Sequence, residues 1–329
     1  MGTLIMTADR VFAIVAFITG FTCGAAAHAQ QDYPNRPVRL VLGLAPGGST
    51  DVVARTVAQG LSELWGQNVL VDNRVGAGGT IGADIVVKAQ PDGYTLFVGG
   101  FGPNAIAPGL YSKLPYDPYT DFTHITLMVT LPLVMLVPAS SPIKGLKELI
   151  ETAKAKPGAL RYGSVGVGSS PHVFIELMNM RAGTKSVHVP YKGAVAALTG
   201  LITAEVDYAM TSISSANTQL PSGRVRAIAV TSATPSPRLP GVPPIASVLP
   251  GYEGLEFHGL HGPAKMPPRL VAKVQQDVAT VLRRPQVKER LDNLAMDIQA
   301  TSSAEASAFI KKQIETWTAV ARKAGVRAD

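Results

Sequence analysis

Apolar runs of strand length alternate with helical patterns through most of the chain. The strand-like runs lie at 38–44, 68–71, 94–98, 131–137, 160–163, 187–189, 206–210 and 227–230. Helical periodicity appears at 51–64, 81–89, 146–155, 171–181, 194–202, 213–220, 269–282, 286–293 and 304–324. Apolar strands joined by helices are typical of sheets covered on both faces. The pattern therefore predicts an α/β fold with mixed, mostly parallel sheets.

A proline-rich stretch at 234–250 interrupts this alternation, and only helical patterns follow it. We interpret the stretch as a connection that returns the chain to its first part. A length of 329 residues also favours about two domains. We expect one lobe formed by 30–132 together with 255–329, and a second lobe formed by 133–254.

The N-terminus has the three-part form of a secretory signal. Arg10 precedes an apolar run at 11–21, and small residues follow as far as Ala29. The run is shorter than the roughly 20 residues that a membrane-spanning helix needs. We predict that residues 1–29 are a cleaved signal peptide and that the mature protein is periplasmic. Cleavage would remove Cys23, the only cysteine, which excludes disulfides and cysteine chemistry.

Composition and charge narrow the class of protein further. Hydrophobic residues make up 46% and charged residues 16%, which is typical of a globular chain rather than a disordered one. The net charge of +7 comes from scattered basic residues, so we do not expect a nucleic-acid partner. A mild positive field would instead attract small anions toward a cleft.

Four polar loops each follow a predicted strand and precede a predicted helix, at 46–50, 164–170, 190–194 and 211–214. Ligands in open α/β sheets bind beyond the carboxyl ends of the strands. Glycine-rich backbone and the positive end of a helix attract anions without a lysine or arginine. The loops therefore indicate an anion-binding cleft, although simple helix capping explains each loop taken alone.

Catalysis is the main alternative to binding. His172 lies in the first turn of a predicted helix, where the helix dipole favours a neutral, hydrogen-bonding imidazole. A serine hydrolase would use Ser164 or Ser169 with His172, yet the segment 162–166 lacks the leading glycine of a nucleophile elbow. A scaffold with a vestigial cleft is a third possibility.

Cofactors and metals are not expected. The segment 76–81 lacks the third glycine of a dinucleotide fingerprint. His258 and His261 form a pair without an evident third ligand, so we predict no metal site there.

Several motifs together resemble the solute receptors of tripartite tricarboxylate transporters, the Bug family. They are YPNRP at 33–37, APGGSTD at 45–51, VDNRVGAGG at 71–79, PDGYT at 91–95, LPYD at 114–117, VPYKG at 189–193 and WTAVARKAGV at 317–326. The resemblance implies a two-lobed, type II-like periplasmic binding protein whose lobes close on a ligand in the cleft between them. It also implies a monomeric, non-enzymatic receptor that holds a small carboxylate for permease subunits in the membrane, or for a membrane sensor.

The resemblance places candidate residues on two walls of the cleft. Carried over to this chain, the first wall contains Pro46, Gly47, Gly48, Ser49 and Thr50, with Asn104 beside them. The opposite wall contains Ser164, Gly168, Ser169, Ser170 and His172, with Tyr191, Gly193 and Thr211 also near the cleft. Asp51 and Asp207 are expected to be structural. Histidines at 258 and 261 replace aromatic or apolar residues usual in the family, so the cleft is expected to differ in shape.

Overall fold

Residues 33–328 are described by a computed structural model of the chain. The chain divides into Met1–Arg36, of which only 33–36 are described, and the compact unit Pro37–Asp329, to which everything below refers. The predicted signal peptide lies outside the described residues.

Ten strands and ten α-helices follow one another along the compact unit. The strands are β1 (Val38–Leu42), β2 (Val69–Asn73), β3 (Thr95–Gly100), β4 (Phe122–Pro138), β5 (Arg161–Ser164), β6 (Val187–Pro190), β7 (Tyr208–Ser212), β8 (Val225–Val230), β9 (Leu255–Pro263) and β10 (Asp297–Ile298). The helices are α1 (Ser49–Trp65), α2 (Thr80–Val87), α3 (Ala107–Leu110), α4 (Leu146–Ala155), α5 (Ser170–Ala182), α6 (Ala194–Ile202), α7 (Ile213–Asn217), α8 (Pro268–Leu282), α9 (Pro285–Asn293) and α10 (Ser303–Ala324). A π-helical turn, Gly102–Ile106, precedes α3.

The strands form one mixed sheet in the order β2-β1-β3-β9-β4-β7-β5-β6, with β8 and β10 also paired to β4. Pairing is parallel among β1, β2 and β3 and among β5, β6 and β7. Around β4 and β9 every pair is antiparallel. The α/β fold is confirmed, but the pairing is not mostly parallel, because two central strands cross back between the parallel groups.

Most predicted elements are present, but strands β9 and β10 occur where only helices were expected, and β4 is much longer than predicted. The apolar pattern predicted a strand at 131–137, whereas β4 has 17 residues and begins at Phe122. Polar residues interrupt its first half, yet Thr126 is fully buried and donates a hydrogen bond from Oγ1 to the carbonyl oxygen of Thr301 at 2.8 Å. A buried polar group satisfied by a distant partner is not visible as an apolar run.

An aromatic cluster packs α10 against α5 and against Phe101, which follows β3. The Trp317 ring of α10 lies 4.6 Å from the Phe174 ring of α5 and 5.2 Å from the Phe101 ring that follows β3. All three side chains are buried. Such rings bury large apolar areas and pack with defined geometry, so they hold α5 and the turn after β3 at fixed positions.

Candidate functional site

A cavity of about 440 Å³ lies where α1 and α5 begin. Strand β9 contributes Glu256, Phe257 and His258 to the lining, and the π-helical turn contributes Gly102, Pro103 and Ile106. The starts of both helices therefore face one space, because β1 and β5 each end just before a loop that leads into a helix.

The first loop is held in shape by a buried carboxylate. Asp51 accepts hydrogen bonds from the Gly47 N–H at 3.0 Å, from Asn73 Nδ2 at 3.1 Å and from Arg55 Nε at 2.9 Å. Burial by itself raises the pKa of Asp51, but the bonds from Arg55, Gly47 and Asn73 outweigh it and leave this pKa below its ordinary value. These contacts favour a structural role for Asp51.

His258 joins β9 to the start of α1. Its Nε2 lies 3.0 Å from Ser49 Oγ, and its Nδ1 lies 3.2 Å from Thr50 Oγ1. Burial lowers the pKa of His258 to about 4, so the ring is neutral near pH 7. A neutral imidazole has one donor and one acceptor nitrogen. One hydroxyl therefore donates to the ring and the other accepts from it, which fixes how both are oriented.

The second loop rests on a pair of stacked histidines. The Gly168 N–H donates to His172 Nδ1 at 3.1 Å, and the His172 ring stacks on His188 with centroids 3.8 Å apart. Burial, and then the neighbouring His188, lower the pKa of His172 to about 3, and burial lowers that of His188 to about 4. His172 is thus kept neutral by burial and by His188 rather than by the helix dipole, and its bond to Gly168 positions the loop.

The serines do not form a dyad with His172. Ser164 Oγ lies 2.6 Å from His188 Nε2, and Ser169 Oγ donates to the carbonyl oxygen of Gly166 at 2.7 Å. Ser164 is fully buried, which excludes a substrate from its hydroxyl. These contacts give no support to the hydrolase alternative.

Glu256 is the second polar side chain that β9 places in the cavity. Its Oε1 accepts a hydrogen bond from Ser170 Oγ at the start of α5. Burial raises the pKa of Glu256, while the bond from Ser170 lowers it in part. Sequence reasoning missed this residue, because nothing in the local pattern showed that 255–263 forms a strand along the cavity floor.

The predicted site residues divide into three groups. Those that line the cavity are Ser49, Thr50, Gly168, Ser169 and Ser170. Those directly behind the lining are Ser164 and His172, which are buried, and Asn104, a fully buried side chain whose amide has no hydrogen-bond partner among the described residues. Those outside the lining, as far as the described residues show, are Pro46, Gly47, Gly48, Tyr191, Gly193 and Thr211.

Asp207 lies away from this cavity and ties two strands together. Its Oδ2 accepts a hydrogen bond from the Arg161 N–H at 2.7 Å, where β5 begins. This contact favours the structural role predicted for Asp207.

Between residues 33 and 328 we find no group of three or more histidine, cysteine, aspartate or glutamate side chains arranged to hold a metal ion. None of the helices in that part of the chain has both the length and the hydropathy needed to cross a bilayer.

The mixed sheet and the cavity between two helix starts define a binding protein of the periplasmic solute-receptor type. A family model described as "Tripartite tricarboxylate transporter family receptor" matches residues 53–326. The chain belongs to this family. Its members are solute-binding receptors and not enzymes, which removes the hydrolase alternative and agrees with the resemblance seen in the sequence motifs.

Similar proteins cover nearly the whole chain. The protein of the tcbD–tcbE intergenic region of Pseudomonas sp. strain P51 is 34% identical over 94% of this chain and 92% of its own length. The structure of R. palustris Rpa4515 with adipate is 33% identical, with a TM-score of 0.78 over 90% of this chain and 99% of the other. MatC from Rhodopseudomonas palustris with bound malate is 31% identical, with a TM-score of 0.74 over 88% and 100%.

Proposed function

We propose that this protein is a periplasmic receptor that captures a small organic carboxylate in the cavity between α1 and α5. The observation that carries the proposal is that both helices begin at the same 440 Å³ space. Helix starts offer free N–H groups and a positive potential, which favour a carboxylate. The adipate and malate bound to two similar proteins support this ligand class.

The proposed contacts are those predicted residues that line the cavity. Ser49 and Thr50 would bind from the first wall, with their hydroxyls oriented by His258. Gly168, Ser169 and Ser170 would bind from the second wall. Asp51 and His172 would hold the two loops in the binding geometry without touching the ligand.

The family to which the chain belongs supports a role in transport. In our proposal, export removes residues 1–29, and the mature protein binds its ligand as a monomer. The two lobes, 30–132 with 255–329 and 133–254, would close on the carboxylate because it contacts both walls in the closed state. The closed form would then dock on permease subunits of a tripartite tricarboxylate transporter, or on a membrane sensor.

Ligand-induced stabilisation tests the proposal directly. The mature protein, refolded to remove any bound ligand, would be unfolded thermally with a panel of carboxylates and their uncharged amides. A carboxylate present at 100 times its dissociation constant should raise the unfolding free energy by about 2.7 kcal/mol, and its amide should not.

A substitution at Ser49 tests whether the carboxylate contacts the first wall of the cavity. Ser49→Leu should weaken binding of the stabilising carboxylate by at least about tenfold, because the side chain fills the cavity and removes a hydroxyl held by His258. Isothermal titration calorimetry would measure this change. Thr280→Leu, a similar enlargement on an exposed part of α8, is the control and should leave the affinity unchanged. Equal affinities for both variants and the unmodified protein would rule out the first wall as a contact.

A further inference from the structure

The charge of the cavity lining is uneven. Among the described residues that line it, none is a lysine or arginine, and Glu256 is the only acid. The one histidine in the lining, His258, is neutral near pH 7. A ligand in this cavity therefore meets one carboxyl side chain and no lysine or arginine side chain.

Glu256 already uses the start of α5 in the way a bound carboxylate would. Its Oε1 accepts the Ser170 hydroxyl, and Ser170 is the first residue of that helix. The helix dipole favours a negative charge at this position. The protein's own carboxylate thus occupies a donor that would otherwise serve an anionic group of the ligand.

At the start of α1, by contrast, no carboxylate of the protein lines the cavity. There the lining offers the hydroxyls of Ser49 and Thr50 together with a neutral imidazole. The nearby Asp51 is buried beneath the loop, where its oxygens bind Gly47, Asn73 and Arg55, and it does not line the cavity. The two ends of the cavity are therefore suited to groups of opposite character.

We propose that the ligand is an amino carboxylate that binds in one orientation, with its carboxylate at the start of α1 and its protonated amine at Glu256. This inference rests on the proposed function and narrows its ligand class. A dicarboxylate would place a second negative charge beside Glu256 in a partly buried space, where like charges repel strongly. The preference would differ from that of the two similar proteins seen with the dicarboxylates adipate and malate.

The charge of the Glu256 carboxyl depends on the ligand group that lies beside it. Burial raises the pKa of its carboxyl, which disfavours the charged form in the empty cavity. An ammonium group beside it would restore the charged form, whereas a second carboxylate would oppose it further.

Ligand pairs of equal chain length provide the test. Calorimetric titration at pH 7 would compare 4-aminobutanoate with succinate, 5-aminopentanoate with glutarate, and 6-aminohexanoate with adipate. For the chain length that binds best, the unmodified protein should bind the amino carboxylate at least about tenfold more tightly than the dicarboxylate, which corresponds to about 1.4 kcal/mol. Glu256→Gln should reduce this ratio at least about tenfold, chiefly by strengthening dicarboxylate binding.

Glu253→Gln is the matched control. It removes the same charge from an exposed residue outside the cavity lining and should leave the ratio unchanged. Dicarboxylates that bind the unmodified protein as tightly as the amino carboxylates would overturn the inference and leave the proposed function standing. An affinity ratio that Glu256→Gln does not change would also overturn the inference and leave the proposed function standing. If no member of the panel binds, the inference is overturned, and the thermal-unfolding panel described under the proposed function decides separately whether that function stands. Should Glu256→Gln fail to fold, the ratio for the unmodified protein still decides.

Discussion

Single glycines decide how closely the backbone packs behind the first wall. A Cβ on Gly43, directly after β1, would overlap the backbone carbonyl of Gly79. A Cβ on Gly82 in α2 would lie 2.8 Å from the Cα of Gly43, nearer than real Cβ atoms approach. Glycine in a helix normally weakens it, so Gly82 is best explained by this close approach. Gly43 itself lines the cavity.

Gly43→Ala tests the close approach. We expect the free energy of unfolding to fall by about 1–3 kcal/mol, because the clash is with backbone that cannot move aside as a side chain would. Urea unfolding followed by circular dichroism would measure it. Gly145→Ala, at an extended position with open space around it, should cost less than about 1 kcal/mol. Equal costs at the two positions would show that the packing is looser than the structure indicates.

Among the elements, α10 carries Trp317 of the aromatic cluster, and a capping box at Ser302 defines where this helix begins. Ser302 Oγ accepts the Glu305 N–H at 3.3 Å, and the Glu305 carboxylate accepts the Ser302 N–H at 2.9 Å. This capping box satisfies two backbone donors that the helix itself cannot. The S-x-x-E pattern is present in the sequence and identifies the helix start, which the apolar periodicity placed one residue too late.

Ser302→Ala should reduce the free energy of unfolding by about 1 kcal/mol, because the variant keeps the chain length and apolar packing of α10 but loses the cap. Chemical denaturation would measure the loss. Ser302→Thr retains the hydroxyl and serves as the control, with a much smaller effect. A loss of the same size for both variants would mean that the hydroxyl is not the cause.

In the fold as a whole, His124, His172, His258 and His261 are buried and His188 is half-buried, and all five are neutral near pH 7. Burial lowers the pKa in each case, to about 4 for His124, His188 and His258, to about 3 for His172, and well below the ordinary value for His261. In the unfolded chain a histidine has a pKa of about 6.5. As the pH falls below that value, the unfolded state therefore binds protons that the folded state does not.

Stability should accordingly change little between about pH 7 and about pH 9 and fall steeply as the pH decreases from about 6.5 toward 4. Each histidine protonated only on unfolding lowers the unfolding free energy by about 1.4 kcal/mol per pH unit. Urea midpoints measured between pH 8 and pH 5 would show this dependence. A midpoint that does not change over this range would contradict the burial of these side chains.

A double variant at His124 and His261 measures how much this pair contributes to the pH dependence of stability. His124 and His261 lie with their Nδ1 atoms 2.9 Å apart, and the Nε2 of each is buried without a partner among the described residues. Replacing both groups by apolar side chains of similar size removes the unsatisfied atoms together. His124→Phe with His261→Leu should therefore make the acid dependence shallower while leaving stability at pH 8 nearly unchanged.

The sequence predicted the strands and the strand-to-helix loops, because neighbouring residues alone determine their patterns. Apolar runs predicted most strands, because parallel strands are buried on both faces. Glycines and hydroxyls after β1 and β5 predicted the loops that lead into the helices beginning at Ser49 and Ser170, since a strand followed by a helix start needs turn and capping residues. The motif resemblance predicted the receptor family, which the family model confirms.

Only the tertiary structure decided what lies between those two loops. Strand β9 carries Glu256 and His258, two polar residues that no apolar pattern marks as strand, and their partners Ser170 and Ser49 are far away in the sequence. Burial of a charged or titratable side chain depends on such partners, and distant segments supply them. In our proposal, local sequence thus determined where a carboxylate would bind, and the crossing of β9 past both helix starts determined which side chains the ligand would meet there.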